Sequence, residues 1–340
     1  MGNCLPVGSD CLNRLCGLGG LILLCMTASA ASAEWSVNAT GNLHYTDDVA
    51  LFSATRRLNL HGDPTQPVLD SVLTGKGSDM VLEPDLDVAR RLTSHWGRTE
   101  ISVRGQAFVY AVNPRFNHGS FGIQALHEFT PDTKVRVRFY STPNLLLGDN
   151  ESTRTDSLAE ERVTSHIGSV RLEQRLSADW EVRLLARYGA RLYNEAFAQR
   201  DTTFWTVGPH VVWHMTDRLA FTLGYHYERG LADGRHQPQF HDDTSYINHY
   251  VALGLEAEIT ERLGLELGFH YERNNWTSGI EGDERKDGHE TVVLGEINAR
   301  YRLSSRWAVL LGFQRSQRKQ SFEEGLVHNT NVTVGASYLF

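Results

Sequence analysis

The chain has 340 residues, 41% of them hydrophobic and 22% charged, with a net charge of −8. No run of about eighteen apolar residues occurs, which excludes a helical membrane protein. The negative charge is mild and evenly spread, which argues against nucleic acid as a partner.

The first segment reads as a targeting signal. Arg14 precedes a short apolar run at 18–26, and Ala31-Ser32-Ala33 is a small-x-small cleavage site. Residues 1–33 are therefore expected to be removed, leaving 34–340 as one domain that begins at Glu34. Cys25 invites a lipoprotein reading, but Leu24 stands where a small residue precedes a lipidated cysteine. Cys4, Cys11, Cys16 and Cys25 all lie in this segment. The remainder has no thiol for a disulfide, a thiolate metal site or covalent haem, and no cofactor is expected.

From Glu34 onward one pattern repeats: alternating apolar and polar residues, then a connection, alternately long and short. Side chains alternate across a strand, so each segment has an apolar and a polar face. Trp35, Val37, Ala39, Gly41, Leu43 and Tyr45 form the first apolar row. A long connection at about 46–79 follows. The second strand is weaker, with Pro84 inside it, because proline cannot donate to a ladder. Ile101, Val103, Ala107 and Val109 mark the third strand, Phe121, Ile123 and Ala125 the fourth, and Val135, Val137 and Phe139 the fifth. A long charged connection is expected at about 142–162.

Later strands come as pairs around short turns: 177–179, 216–218, 260–262 and 304–306. Rows such as Trp180, Val182, Leu184, Ala186 and Tyr188, or Leu263, Leu265, Leu267, Phe269 and Tyr271, lead out of these turns. The count is about fourteen strands, or twelve or sixteen if the weak second strand or a hairpin in the first long connection is miscounted. Trp35, Trp180, Trp213 and Trp307 fall at the short-turn end, where an amphipathic ring suits a membrane interface.

Fourteen strands enclose more space than side chains can fill, so a soluble barrel would carry a large apolar lumen. The apolar rows are better placed outward in lipid, with the polar rows lining a lumen. The expected fold is all-β: an up-and-down antiparallel transmembrane barrel with short periplasmic turns and longer extracellular loops. By parity the lumen receives Arg104, Arg136, Arg138, Arg171, Arg183, Arg187 and Arg191 from the earlier strands. It receives Glu256, Glu266 and Glu296 from the later ones. A mainly cationic arc is thus expected to face a mainly acidic one. Two readings follow: charges merely solvated or paired in a wet interior, or a field across a constriction that selects solutes.

The last strand alternates Val332, Val334, Ala336, Tyr338 and Phe340 against small or polar residues. It resembles the C-terminal sorting signal of bacterial outer-membrane barrels, with Tyr338 and Phe340 as its aromatic positions. The segment Tyr45-Thr46-Asp47-Asp48-Val49-Ala50-Leu51-Phe52 is similar to the opening motif of β-barrel porins of bacterial envelopes, some of which accompany exopolysaccharide export. The resemblance implies an outer-membrane location, contact with lipid and lipopolysaccharide, and recognition by the barrel-assembly machinery through the last strand. It transfers no catalytic residue and no cargo.

Candidates for chemistry are few. His241-Asp242-Asp243 offers a base and carboxylates in a loop, His118-Gly119-Ser120 a histidine near a serine, and His236, His241 and Asp242 a loose metal set. No nucleophile elbow or zinc-binding helix motif accompanies them. The expected function is a porin-like channel for passive diffusion of small polar or charged solutes, not an enzyme. The alternatives are a barrel component of an export or envelope assembly and, further off, an outer-membrane hydrolase. A long connection folded inward would plug such a pore, and 46–79 and 142–162 are long enough.

Overall fold

The computed structural model describes residues 34–52, 77–322 and 325–340. The expected signal segment, its cleavage site and its cysteines lie outside the described residues. The strands are β1 (Glu34–Thr46), β2 (Asp79–Ser94), β3 (Gly97–Tyr110), β4 (His118–Glu128), β5 (Thr133–Ser152), β6 (Ser157–Arg175) and β7 (Trp180–Tyr193). They continue as β8 (Thr202–Thr216), β9 (Leu219–Ala232), β10 (Tyr246–Glu258), β11 (Leu263–Trp276), β12 (His289–Arg302), β13 (Trp307–Gln320) and β14 (Val327–Leu339). Each is antiparallel to its sequence neighbours, and β1 pairs with β14 to close the barrel. The seam runs from Asn38↔Leu339 to Thr46↔Asn331. Closure removes every edge, which is how a sheet satisfies its backbone groups in hydrocarbon.

The period-two rows hold along the wall. Leu43, Leu82, Val103, Ile123, Leu184, Leu223, Leu267, Leu311 and Val334 are exposed on the outside. Asn42, His44, Glu83, Gln106, Glu228 and Asn331 are buried inside. Pro84 and Pro209 sit where the ladder is interrupted. The β2–β3 register passes from Leu82↔Val109 to Asp85↔Gln106, and the β8–β9 register from Val207↔Tyr227 to His210↔Gly224. Each proline thus falls in a gap of one ladder, where its missing N–H costs no strand bond.

At one end the connections are short and share a hydroxyl device. Thr130 Oγ1 accepts the N–H groups of Asp132 and Thr133, and Ser177, Thr260 and Ser304 repeat the arrangement. The hydroxyl satisfies two turn amides and fixes a tight reversal. Trp180 stacks on Trp213 at 5.6 Å, and Trp307 packs on Tyr338 at 4.7 Å, all at this end. Gly97 opens β3 at φ +125°, with an added Cβ only 2.1 Å from the Glu128 carbonyl oxygen. Gly97→Ala is therefore expected to lower stability by about 2–3 kcal/mol through backbone strain and a clash. Gly105→Ala is the control, since an added Cβ there meets nothing within 4 Å. Equal urea midpoints for the two variants would sink the assignment.

At the other end most connections are longer, and one expectation is corrected. The chain is not a loop over 142–162: β5 runs on to Ser152 and β6 starts at Ser157. The extension carries register shifts between Thr142 and Leu145 and between Leu146 and Gly148. Asn144 and Gly148 take positive φ there, at 51° and 139°. These irregularities break the alternation that sequence reading depends on, and they turn Leu145, Leu146 and Leu147 into the interior.

Candidate functional site: the barrel lumen

The loop half of the lumen is filled. After β1 the chain makes a helical turn from Val49, described to Phe52. Asp48 caps it, its Oδ1 accepting from the N–H of Ala50 and Leu51, each at 3.1 Å. Asn329 on β14 donates to Thr46 Oγ1 and Asp47 Oδ1, both at 3.0 Å, which ties the turn to the seam. Val49, Ala50, Leu51 and Phe52 then pack with Leu145, Leu146, Leu147, Phe108, Tyr110, Phe116 and Val163 in one buried apolar cluster. Phe52 lies 5.2 Å from the His44 ring and 6.3 Å from that of Tyr110. A barrel interior has here acquired a hydrophobic core of its own.

The opposite wall at this level is packed by polar groups. Tyr246 donates to Glu228 at 2.6 Å and accepts from Arg191 at 2.8 Å, while Arg187 donates to Thr206 and Thr206 to Glu228. Asn248 donates to Glu272 at 2.6 Å, and Arg318 forms a double contact with Glu290. Buried polar groups must be paired, and these are paired mainly across adjacent strands.

Above them an ion cluster joins the loops. Arg200, after β7, reaches Glu161 on β6 at 3.0 Å and Asp242, after β9, at 2.7 Å. Arg285, after β11, reaches Asp242 at 3.0 Å. All four side chains are at most 3% exposed. Burial pushes the Asp242 carboxyl up, but Arg200 and Arg285 outweigh it and hold it below the ordinary carboxylate range. Asp242 is thereby committed to two arginines. His241 bonds the Glu281 carbonyl at 2.8 Å, and Ser120 donates to Gln106 at 3.2 Å. His236 accepts from Arg235 at 2.9 Å. The residues considered for chemistry thus make the contacts that hold loops and wall together.

Asp201, beside this cluster, behaves oppositely. Burial raises its carboxyl to about 6, the N–H of Tyr193 only partly offsetting it, and Asp233 adds to the rise. A folded-state value above the unfolded one means the folded chain holds the extra proton between about pH 4 and 6. Stability from this group therefore falls as pH rises through that window. Asp201→Asn is expected to raise the unfolding midpoint at pH 8 and leave it unchanged at pH 4, read by thermal scans at both. A gain at pH 4 as large as that at pH 8 would exclude titration as the cause.

The turn half is open. A cavity of about 720 Å³ is lined by Glu256, Glu258, Glu266 and Asp217 together with Arg218, Arg300, Arg302 and His214. Glu256 stands opposite Glu266 in the β10–β11 register. Glu296 sits beside His270, at 3.3 Å, and Gln314. On the other arc Arg104 is tied to Asp85, Arg136 to Glu173 at 3.2 Å, Arg138 to Gln124 at 2.8 Å and Arg183 to Glu181 at 2.6 Å. The ten charged residues expected in the lumen stand at positions of the parity opposite to the exposed apolar rows. Glu256 and Glu266 border the cavity, Arg136, Arg138 and Arg187 cluster with Arg171, and Arg104 and Arg191 sit in local pairs. Sequence reading named the two connections, 46–79 and 142–162, that supply the apolar plug, but not the residues that pack it, and it missed the ion cluster. The Asp48 cap before an apolar run, and three leucines inside a charged stretch, were the signals present.

Residues 193–340 match the family model described as outer membrane protein beta-barrel domain. A search of curated proteins finds no match. Among solved structures, the outer membrane channel DcaP of Acinetobacter baumannii is similar with a TM-score of 0.52 at 10% identity, over 92% of this chain and 98% of that one. In-vitro folded OmpT of Vibrio cholerae, in its trimer form, gives 0.51 at 8% identity, over 92% and 100%. At such identities the likeness is one of fold. The closed fourteen-strand barrel, with the match over its C-terminal part, gives this chain the fold of bacterial outer-membrane β-barrels.

Proposed function

We propose that the barrel is a channel for passive diffusion of small polar or charged solutes, here closed at its extracellular mouth by its own plug. The observation that carries this reading is the charged, water-accessible chamber of about 720 Å³ below a packed loop half. A polar lumen of this width has no structural need in a barrel held by its own wall. It suits solutes in transit, with charge arcs that bias which ones enter. The reading assigns no catalytic role, since Asp242, His241 and Ser120 are engaged in structural contacts. It places lipid and lipopolysaccharide on the outer rows, and gives the strand ending in Tyr338 and Phe340 to the barrel-assembly machinery.

The packed mouth favours one second reading: an export or docking component that opens only with a partner. Planar-bilayer recordings of residues 34–340 separate the two. Stable, ion-selective steps are expected for a channel, whereas a folded, heat-modifiable barrel that stays silent would overturn passive diffusion and leave the partner-dependent reading. In the conducting protein, Arg136→Ala, Arg138→Ala and Arg187→Ala together are expected to shift permeability severalfold toward cations, read as a reversal-potential change in a salt gradient. Unchanged selectivity would reduce these charges to wall pairing.

A further inference from the structure

The cationic arc contains a more specific arrangement than a field. Arg136 and Arg138 are two apart on β5 and share the inner face. Arg136 stands directly opposite Arg171 on β6, Arg138 opposite Ser169, and Ser169 opposite Arg187 on β7. These four arginines, with Tyr140, Ser169 and Leu185, enclose a cavity of about 10 Å³. That is the volume of a single water or a single oxygen atom. Glu173 is the carboxylate among them, 3.2 Å from Arg136 and 4.0 Å from Arg171.

Like charges directly across two strands destabilise a sheet. Here guanidinium groups from three consecutive strands converge on one oxygen-sized space, an arrangement whose repulsion an anion there would offset. Guanidinium forks match the oxygens of phosphate and carboxylate in pairs, which makes arginine the side chain suited to such a group. Ser169 adds a hydroxyl donor at the same place.

We propose that Arg136, Arg138, Arg171 and Arg187 form an oxyanion-binding site in the lumen wall, which takes the phosphate-like group of a small solute. One oxygen enters the small cavity and the rest of the group faces the lumen. This deepens the channel reading and rests on the lumen being a path for solutes. Its test does not depend on conduction, so a silent barrel and an empty site are separate failures.

The test is thermal unfolding of the refolded barrel in detergent, titrated with inorganic phosphate against chloride at matched ionic strength. Wild type is expected to show a saturable rise in midpoint with phosphate beyond that with chloride. Arg138→Gln with Arg171→Gln is expected to bind phosphate at least tenfold more weakly while keeping its heat-modifiable mobility. Should that pair fail to fold, Arg138→Lys keeps the charge but loses the planar fork, and is expected to weaken phosphate binding severalfold. The proposal is overturned if phosphate acts on wild type only as chloride does. It is equally overturned if the substituted barrels bind phosphate as tightly as wild type.

Discussion

Replacing Asp242 by alanine is expected to free the loop end of the barrel while leaving its wall intact. One carboxylate there answers two buried guanidiniums, Arg200 at 2.7 Å and Arg285 at 3.0 Å, and also accepts from Gln199 at 2.7 Å. Through Arg200 it is linked to Glu161 on β6, so four separate stretches meet at one point. Removing one partner of a buried pair costs about 3–5 kcal/mol, because the remaining charges stay desolvated and unanswered. The wall does not share that cost, since its strands are held by a closed ladder of backbone bonds. Limited trypsin digestion checks the outcome: Arg200 and Arg285 are expected to become cleavable in Asp242→Ala, while heat-modifiable mobility persists. Digestion as slow as in wild type would show that the cluster does not clamp the loops. The pH dependence has a fixed sign. With its carboxyl below the ordinary range, Asp242 contributes stability above about pH 4 that is lost only as pH falls through its lower folded value. Any opening of the loops between pH 5 and 8 must come from another group.

The wall of this barrel was legible because lipid and lumen impose a strict alternation on every strand. Leu219, Phe221, Leu223 and Tyr225 betray β9 by that rule alone, and the same parity places Arg136 and Glu266 inside. The short turns were legible because Thr130, Ser177, Thr260 and Ser304 each perform one local task with their own hydroxyl. The loop end was not, for a physical reason. Alternation says nothing about a chain that leaves the wall, bends through Asn144 and Gly148, and buries Leu145, Leu146 and Leu147 among residues far away in sequence. The Arg200–Asp242–Arg285 cluster likewise joins positions whose separation carries no period. The arginine quartet stood between these cases. Parity gave its direction, but only the register of three strands brings Arg138, Arg171 and Arg187 around one cavity.

The opening motif gains a mechanical meaning from the same packing, and with it a gating prediction. Tyr45 lies on the outer face, Thr46 and Asp47 fasten the chain to Asn329, Asp48 caps the helical turn, and Phe52 enters the lumen cluster. Phe52 is 1% exposed. Truncating a buried phenylalanine to alanine costs about 3–5 kcal/mol, and every 1.4 kcal/mol is tenfold in an equilibrium. Phe52→Ala should therefore shift the balance between docked and undocked plug by a hundredfold or more. The stretch 34–340 has no cysteine, so Ala50→Cys, itself 1% exposed, is a single reporter of docking. A membrane-impermeant maleimide is expected to label Ala50→Cys slowly in the parent barrel and at least a hundredfold faster when Phe52→Ala is added, as long as docking limits the reaction. Channel open probability in planar bilayers is expected to rise in parallel. Fast labelling with unchanged conductance would mean that the plug leaves but does not gate, and would move the barrier to the polar wall around Glu228 and Tyr246. Phe52→Leu, which keeps most of the volume, is expected to change both readouts little, because apolar packing rather than an aromatic contact holds the plug in place.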